Sequence, residues 1–353
     1  MKRMLHIVGG MYPGGLENFI MNINRNLNHE QVVFDVIVHS IREGDYTEEI
    51  KKLGGKVYLA PRKSRHPIGN FFAIKRIVRE NHYETVIRHS DNAFPVVDLL
   101  AAKLGGAKRR IYQSHSSSSS HVLLHRFFRT WMSGVVTDRF ACSENAGKWM
   151  YGKRSFTVVK NAIDISDNLY HAEVREKTRK EWKLDDKIVY SHVGIYMPAK
   201  NHEFLIRFFA QIVKKQENAV LLLIGEGGLR EQMEEEIRKL KLQDSVFLTG
   251  IRSDVPDLLQ MTDVFLFPSI YEGLPLSVIE AQAVGLKCLI SDAITKEVIV
   301  TNLVTQMSLS QGEEAWADRA IELSSPYQRK DTGKEIADAG YDVRTLAQWY
   351  AAL

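Results

Sequence analysis

Two glutamates, Glu272 and Glu280, stand eight positions apart in the segment YEGLPLSVIEAQ. The segment follows an apolar run, DVFLFPS, of the kind that forms a buried parallel strand. Pro275 suits the first turn of a helix, where its missing N–H costs nothing. Free backbone N–H groups at this helix start would come from Gly273, Leu274, Leu276 and Ser277, and Pro275 lies among these residues without a donor of its own.

A free helix N-terminus is a positive, hydrogen-bonding end that can hold a phosphate. Glu280, about a turn and a half into the helix, can accept hydrogen bonds from a pair of sugar hydroxyls. Glu272, on the loop before the helix, can face another part of the same ligand. The pattern predicts a site for a sugar joined to a phosphate, although two solvated surface glutamates would give the same letters.

The segment resembles the E-x7-E motif of the retaining glycosyltransferase family 4. The resemblance implies the α/β GT-B fold, in which two Rossmann-like, doubly wound parallel-sheet domains face each other across a cleft. It also implies transfer of a sugar from a nucleotide diphosphate, with Glu272 at the donor sugar and Glu280 at the nucleotide side. Similar segments occur along nearly the whole chain, most closely between Lys187 and Glu297, and they are most like the bacterial polysaccharide-building members.

The segment HVGIYMPAKNHEFLI resembles the family's G-R-F-x-x-x-K-N sequence, with Lys200 and Asn201 in the matching positions. The resemblance assigns Lys200 to the diphosphate, which it would steady as the leaving group. Ile195 stands where the family has a second cation, an arginine, and an aliphatic side chain cannot replace a bidentate guanidinium. Losing one charged contact to a phosphate costs roughly 1.5–3 kcal/mol, unless a neighbour such as Arg252 compensates.

Other glycine-rich turns fall at strand ends. By resemblance, Gly227 in IGEGGLREQM borders the nucleotide, and the backbone near Ile251 in LTGIRSDVPDLL reads the base edge. In GGMYPGGLENFI, Gly14 and Gly15 allow close backbone approach before a helix, and the family's matching pair touches the donor phosphate. The spacing is not that of a dinucleotide-binding turn, and a glycine-rich turn without a ligand stays an alternative for this last segment.

Two histidines end neighbouring strand patterns, His89 in ETVIRHS and His115 in RRIYQSH. A lone histidine is more often a packing or surface residue than a functional one. The family carries a histidine at the second of these strand ends, so the resemblance assigns His115 to the transferred sugar and the acceptor.

Length and composition are those of a globular protein with two domains: 353 residues, 44% hydrophobic and 25% charged. Cys142 and Cys288 make no metal-binding spacing, and no apolar run reaches the roughly 18 residues of a membrane span. We therefore expect a cytoplasmic protein. The net charge of +4 is uneven, because residues 1–170 hold 25 Lys and Arg against 15 Asp and Glu.

A basic first half predicts an anionic partner. Nucleic acid is excluded as that partner because no basic recognition helix or aromatic-basic sheet motif occurs. An anionic membrane surface or a lipid-linked phosphate fits better, with contacts from RKSRH (residues 62–66), KRR (108–110) and the aromatic, basic stretch HVLLHRFFRTW (121–131). These stretches can also be ordinary solvated faces.

Strand patterns alternate with helical ones, as in parallel sheets, with seven strands expected before residue 163 and five after residue 186. A polar stretch, residues 166–186, is interpreted as the crossing between the domains. The predicted boundaries are 1–165, 187–335 and a C-terminal helix, 336–353, that packs back on the first domain. The serine run 116–120 is expected to be a mobile loop.

No D-x-D pair is present to hold Mg²⁺, so the resemblance predicts a transferase without metal or other cofactor. Its partners would be a nucleotide-sugar donor, UDP-linked by preference, and a lipid-linked or saccharide acceptor. Two other functions stay open. A sugar-binding protein that has lost catalysis would explain Ile195, and a nucleotide-sugar epimerase would need an acid in the first domain that the sequence does not offer.

Overall fold

The computed structural model describes residues 1–12, 14–116 and 122–353. The chain divides into two compact units, the first made of residues 1–162 and 343–353 and the second of residues 163–342. Pro13 of the first glycine turn lies outside the described residues. So do Ser117–Ser120, where a mobile loop was expected, and His121, the first residue of the aromatic, basic stretch.

The first unit contains a parallel sheet of seven described strands in the order β3-β2-β1-β4-β5-β6-β7. The strands are β1 Lys2–Ile7, β2 Val32–Val38, β3 Val57–Leu59, β4 Thr85–Ser90, β5 Arg109–Ser114, β6 Asp138–Ala141 and β7 Thr157–Val158. Central strands such as β2 and β4 are buried along their whole length, as parallel strands covered on both faces must be. The strand order changes direction at β1 and β4, which is the switch point where ligands of such sheets bind.

Helices cover both faces of this sheet. They are α1 Gly15–Arg25, α2 Thr47–Lys52, α3 Pro67–Glu80, α4 Val96–Gly105, α5 Val122–Arg129, α6 Met132–Val135, α7 Glu144–Tyr151 and, from the end of the chain, α15 Val343–Ala352. Helix α15 packs beside α1. Its Tyr350 is fully buried and donates a hydrogen bond to Gln113 Oε1 at 2.5 Å.

The second unit contains a parallel sheet of six described strands in the order β10-β9-β8-β11-β12-β13. The strands are β8 Ile188–Val193, β9 Ala219–Ile224, β10 Val246–Gly250, β11 Val264–Phe267, β12 Lys287–Ser291 and β13 Val304–Met307. The helices are α8 Ala172–Trp182, α9 His202–Lys215, α10 Arg230–Lys239, α11 Val255–Met261, α12 Leu276–Ala283, α13 Gly312–Leu323 and α14 Gly333–Asp338.

The structure confirms the prediction of two Rossmann-like α/β units and contains each of the twelve expected strands. Strand β13 was not predicted, because its sequence, VTQM, is short and half-buried at the sheet edge. Residues 166–186, interpreted from the sequence as a crossing, include helix α8, which belongs to the second unit. Arg175 and Arg179 of α8 pair with Asp263 and donate to the carbonyl groups that end α11.

Candidate active site

The E-x7-E segment lies between β11 and α12, at the carboxyl end of the second sheet. Helix α12 begins at Leu276, and Pro275 occupies its N-cap position. The N–H of Val278 donates to Pro275 O at 3.2 Å. No described oxygen accepts from the N–H groups of the preceding non-proline residues, namely Gly273, Leu274, Leu276 and Ser277. The helix end predicted from the sequence is thus present, with free donors that can meet an anion.

Lys200 and Glu272 form an ion pair beside this helix end. Lys200 Nζ lies 2.8 Å from Glu272 Oε1, and the two side chains are only 14% and 16% exposed. The same ammonium lies 4.7 Å from the centre of the Phe267 ring, on the last residue of β11. The sequence assigned these two residues separately, to the diphosphate and to the sugar, and the structure brings them together.

The backbone around Asn201 holds Lys200 in place. Asn201 has a left-handed conformation, with φ of 59°, which asparagine tolerates better than most residues. Its Nδ2 donates to Pro268 O at 3.2 Å, and Ile270 N donates to Ala199 O at 2.8 Å. These two bonds tie the loop that carries Lys200 to the loop that carries Glu272. The matching asparagine is therefore a positioning residue in this chain.

Glu280 projects from the second turn of α12 and is half-buried. No described side chain forms an ion pair or a hydrogen bond with its carboxylate. Burial raises the pKa of Glu280 to about 7. A buried carboxylate without a described partner can be stabilised by a ligand that donates hydrogen bonds to it, which is what a pair of sugar hydroxyls would do.

Ile195 is 61% exposed on the loop that follows β8. A Cβ atom at the preceding Gly194 would lie 3.0 Å from Lys200 Cε, so this loop runs directly beside the Lys200 side chain. The position that carries an arginine in the resembling family is therefore open to solvent and adjacent to the proposed diphosphate contact.

Gly227 packs against the backbone of Tyr196. A Cβ atom at Gly227 would lie 2.5 Å from Tyr196 O, and Leu229 N donates to the same oxygen at 3.2 Å. Any larger residue would push apart the loops after β8 and β9. The structure thus gives Gly227 a packing role, whereas its neighbour Gly228 faces open space.

Ile251 is 85% exposed and follows Gly250, which has a left-handed φ of 72°. Arg252 forms an ion pair with Asp254 and lies 5.8 Å from the centre of the Trp182 ring. Its guanidinium therefore has a carboxylate partner, as the Lys200 ammonium does, and the suggestion that Arg252 replaces the missing arginine stays a prediction.

In the first unit, Gly14 forms the N-cap of α1 in extended conformation. Glu17, in the first turn, lies over it, and a Cβ atom at Gly14 would come within 2.8 Å of Glu17 Oε2. Nothing lies within 4 Å of the corresponding position at Gly15. Burial raises the pKa of Glu17. A phosphate at this helix start would have to displace or share the space of that carboxyl group.

His115 belongs to a line of three histidines in the first unit. His115 Nε2 lies 2.9 Å from His89 Nδ1, and His89 Nε2 lies 2.9 Å from His6 Nδ1. Burial lowers the pKa of His6 and of His115 to about 3 and lowers that of His89 well below the usual value. All three rings are therefore neutral at neutral pH, and each close contact holds one proton.

The inner end of this line is His6 Nε2, which is buried without a hydrogen-bond partner among the described residues. An orphaned buried N–H is rarer and costlier than an orphaned acceptor. We therefore expect His6 to carry its proton on Nδ1 and to donate to His89, which in turn donates to His115. His115 then presents its Nδ1–H outward, as a donor and not as a base. His6, in a buried strand, had no sequence signal of function.

A second buried cluster lies behind His89. Lys63 Nζ and Arg88 Nε contact the two oxygens of Asp98, at 2.5 and 2.9 Å, and the Asp98 side chain is fully buried. Lys63 was expected from the sequence to belong to a basic surface cluster. Only 13% of its side chain is exposed, because the ammonium turns inward to the carboxylate.

None of the described helices combines the length and apolar character needed to cross a membrane. In the same described ranges, no three His, Cys, Asp or Glu side chains are grouped as metal ligands. Cys142 and Cys288 are not joined by a disulfide bond.

Two Rossmann-like units with parallel sheets, and the E-x7-E segment at a strand end of the second, define the chain as a GT-B protein. Residues 13–167 match Glycosyltransferase Family 4, and residues 174–338 match Glycosyl transferases group 1. EpsF of Bacillus subtilis, a protein named as a glycosyltransferase, is 31% identical over 361 residues, which cover 97% of this chain and 94% of that protein. The chain therefore belongs to the family 4, group 1 glycosyltransferases, enzymes of the hexosyltransferase type.

The chain is also similar to a second bacterial glycosyltransferase and to a protein of known structure. A UDP-Gal:alpha-D-GlcNAc-diphosphoundecaprenol alpha-1,3-galactosyltransferase of Escherichia coli is 24% identical over 66% of this chain and 64% of its own length. The crystal structure of Anabaena HepE in complex with UDP superposes with a TM-score of 0.81 at 19% identity, covering 100% of this chain and 99% of that one. At that identity the structural likeness supports the fold alone.

Proposed function

We propose that this enzyme transfers a sugar, with retention of anomeric configuration, from a nucleoside-diphosphate sugar to a lipid-linked or saccharide acceptor in surface polysaccharide biosynthesis. The observation that carries the proposal is the Lys200–Glu272 pair beside the free N–H groups of α12. A cation and a helix N-terminus suit a diphosphate, and the neighbouring carboxylate suits the sugar attached to it.

Each side chain then has a distinct task. Lys200 and the start of α12 hold the diphosphate and stabilise the charge that develops on the leaving oxygen. Glu280 accepts from hydroxyl groups at the nucleoside end. Glu272 holds the donor sugar, and the Nδ1–H of His115 donates to an oxygen of the transferred sugar or of the acceptor. In the first unit, we expect the backbone at Gly15 to contact a phosphate, whereas at Gly14 the Glu17 carboxyl group would first have to move aside.

The Lys200–Glu272 ion pair also affects which route to retention of anomeric configuration we propose. Retention by double displacement needs a carboxylate that attacks the anomeric carbon. Glu272 is held by a lysine ammonium, which lowers its power as a nucleophile. This favours attack by the acceptor on the same face from which the diphosphate leaves, with a leaving phosphate oxygen taking the acceptor's proton. No metal is invoked, because Lys200 and the helix end supply the positive charge.

UDP is the favoured nucleotide and a polyprenyl-diphosphate-linked sugar the favoured acceptor. The name of the Escherichia coli relative includes both, and HepE was crystallised with UDP. The uneven charge adds support, because the basic half of the sequence lies mostly in the first unit.

We also propose that the enzyme works on the inner face of the plasma membrane. Leu123, Phe127 and Trp131 in and after α5 are 82%, 59% and 44% exposed, and Arg126 and Arg129 share this short segment. Exposed apolar and cationic side chains on one helix are typical of segments that lie in an anionic interface.

The decisive experiment is calorimetric titration with UDP, GDP and ADP, each with and without Mg²⁺, followed by transfer from the matching sugar nucleotides to a synthetic polyprenyl-diphosphate sugar. We expect one nucleotide to bind without Mg²⁺ and binding to be lost in Glu280→Ala. NMR of the product should show the donor's anomeric configuration. An inverted product would refute retention, and binding that requires Mg²⁺ would refute the charge assignment.

One observation favours a second candidate, a protein that binds the nucleotide sugar without transferring it. The family has two cationic side chains for the diphosphate at this loop. Here Ile195, which is exposed to solvent, stands in place of the arginine, and Lys200 is the matching cation that is present. Tight donor binding with no transfer to any acceptor would support this candidate.

A further inference from the structure

An exposed guanidinium, that of Arg42, lies in the loop that follows β2 in the first unit. Its central carbon lies 4.5 Å from the centre of the Tyr12 ring, so the two side chains form a cation–π pair. Tyr12 belongs to the loop that follows β1 and precedes the glycine turn at Gly14 and Gly15. Both loops leave the carboxyl end of the sheet, which is the end where ligands of such sheets bind.

The guanidinium of Arg42 has no oxygen partner among the described residues. Its backbone N–H donates to Asp45 Oδ2 at 3.0 Å, but no described side chain or carbonyl group contacts its charged end. In each of the other described cation–π pairs the cation also contacts an oxygen atom of the protein. These other cations are Arg25, Lys63, Lys200, Arg252, Lys287 and Arg329. A guanidinium carries five N–H donors in a planar fork, and those of Arg42 are therefore available to a ligand.

Hydrogen bonds between the two loops restrict the position of Arg42. Tyr46 N donates to Met11 O at 2.9 Å, which joins the loop after β2 to the loop after β1. The Tyr12 hydroxyl is hydrogen-bonded to Ser40 Oγ, so the ring under the guanidinium is held as well. A side chain that is already held loses less conformational freedom when it binds a ligand.

An exposed, held guanidinium suits a phosphate, whose oxygens it can contact bidentately. The diphosphate of the donor already has contacts assigned to it, at Lys200, at the start of α12 and at Gly15. The diphosphate of a lipid-linked acceptor has none. The anion that Arg42 can bind is therefore assigned to the acceptor.

Arg42 is distant from the histidine that was assigned to the transferred sugar and the acceptor. In the order β2-β1-β4-β5, three strand spacings, roughly 14 Å, separate the strand before Arg42 from the strand that ends before His115. We therefore expect Arg42 to contribute to acceptor binding and not to the chemical step.

We propose that Arg42, oriented by the Tyr12 ring, binds a phosphate group of the acceptor and so selects acceptors that carry a phosphate or diphosphate. The inference rests on the proposed function insofar as the acceptor is lipid-linked. It assigns a binding role to a loop that neither the sequence patterns nor the donor site had identified.

The first test compares two acceptors that carry the same sugar, a synthetic polyprenyl-diphosphate sugar and an octyl glycoside without phosphate. In Arg42→Gln, KM for the diphosphate acceptor should rise roughly 10- to 100-fold, the usual loss for a hydrogen bond to a charged group, with kcat unchanged. KM for the octyl glycoside and for the sugar nucleotide should stay the same. An equal rise for both acceptors, or no rise for either, would overturn the proposal. A rise in KM for the sugar nucleotide would assign the contact to the donor instead.

Arg79→Gln is the matched control for the loss of charge. Arg79 is exposed and lies in the last turn of α3, which precedes the amino end of β4, so it is far from the loops at the carboxyl end. KM for the diphosphate acceptor should be that of the wild type in this variant. A rise as large as in Arg42→Gln would show that net charge alone matters and would overturn the proposal.

The role of the Tyr12 ring is tested by two variants. Tyr12→Phe keeps the ring beneath the guanidinium and loses the bond to Ser40, whereas Tyr12→Leu removes the ring. KM for the diphosphate acceptor should rise more in Tyr12→Leu than in Tyr12→Phe. Equal effects would show that Tyr12 supports the loop without orienting Arg42.

A titration with inorganic pyrophosphate, followed by ³¹P NMR, tests the contact without any transfer. It is made in Lys200→Gln, where binding at the donor site is weakened. We expect pyrophosphate to bind to Lys200→Gln, not measurably when Arg42→Gln is added, and unchanged when Arg79→Gln is added. Equal binding with and without Arg42, or none in either, would overturn the proposal.

The two tests separate this inference from the proposed function. Pyrophosphate binding that depends on Arg42, without transfer to any acceptor, would refute the function and support the phosphate contact. Transfer to the diphosphate acceptor that does not depend on Arg42 would support the function and overturn the inference.

Discussion

Lys200 Nζ lies 2.8 Å from Glu272 Oε1, so the residue proposed to hold the diphosphate is neutralised by the residue proposed to hold the sugar. A donor must therefore compete with Glu272 for the lysine, or share it. The two partners of this pair should respond to mutation in opposite directions.

We expect Glu272→Gln to bind the nucleoside diphosphate at least as tightly as the wild type, because it frees Lys200 from a carboxylate. Lys200→Gln should weaken the same binding by roughly 10- to 100-fold, the usual loss for a hydrogen bond to a charged group. Transfer should fall in both variants. Calorimetry measures the binding, and thermal unfolding controls for folding. Weakening by both variants alike would show that the pair is structural only.

Nucleotide affinity should depend on pH through Glu280. Its pKa is raised to about 7 by burial, and only the ionised form accepts hydrogen bonds from both hydroxyls. Affinity should therefore be constant above about pH 8 and fall roughly tenfold by pH 6, where about a tenth of the group is ionised. Glu280→Gln should bind weakly with no such dependence, and the exposed Glu203→Gln should follow the wild type. A wild-type profile flat between pH 6 and 8 would contradict the assignment.

The same shift predicts a change in stability. Because the folded state keeps this proton up to about pH 7, while the unfolded chain releases it near the ordinary value of 4.5, ionisation of Glu280 destabilises the fold as the pH rises between these values. Glu280→Gln should therefore raise the melting temperature at pH 8 and leave it unchanged at pH 4. Thermal unfolding at the two pH values measures this difference, and an equal effect at both would argue against it.

Ile195→Arg should strengthen diphosphate binding. The side chain is exposed and adjacent to the loop that packs on Lys200, so a guanidinium can be added without displacing a buried group. We expect a gain of about tenfold for the nucleoside diphosphate and none for the nucleoside. Ile195→Gln, of similar length without charge, is the control. A gain in Ile195→Gln as large as in Ile195→Arg would show that polarity, not charge, is missing.

The line of three histidines predicts a fixed tautomer. His115 should carry its proton on Nδ1, because His6 is expected to donate to His89 and His89 in turn to His115 Nε2, which lies 2.9 Å from His89 Nδ1. Imidazole ¹⁵N chemical shifts report the tautomer directly. In His6→Phe, His115 should keep its position but populate both tautomers. In His89→Asn, the pH dependence of transfer should change as well. An Nε2-protonated His115 in the wild type would reverse the expected roles of donor and acceptor.

The regular parts of both units could be predicted from the sequence, because central strands such as β2 (VVFDVIV) and β9 (AVLLLI) are almost wholly apolar and alternate with helical patterns. The E-x7-E segment could be predicted equally well, because a strand, a proline and a helix start succeed one another within a few residues. Contacts across the chain could not be predicted. The Lys200–Glu272 pair joins residues 72 positions apart, and the His6–His89 contact joins residues 83 positions apart.

The structural roles of some charged residues could not be predicted from the sequence either. Helix α8 was interpreted as a crossing because it buries few apolar residues. Its arginines nevertheless donate hydrogen bonds to the carbonyl groups at the end of α11. Lys63 was taken for a surface cation because four of the five residues in its segment are basic or histidine. In each case the partner that turns the charge inward, Asp263 or Asp98, lies far away in the sequence.

Helix α15 has a consequence for how the protein is made. Val343, Ala347 and Tyr350 belong to the apolar core of the first unit, although they are synthesised after the whole of the second unit. Residues 163–342 are synthesised in between, which takes roughly 10 to 40 s at usual bacterial and eukaryotic rates. Through that interval the nascent first unit has its sheet but an open face beside α1. The second unit, whose synthesis begins later, can therefore complete its folding before the first unit does.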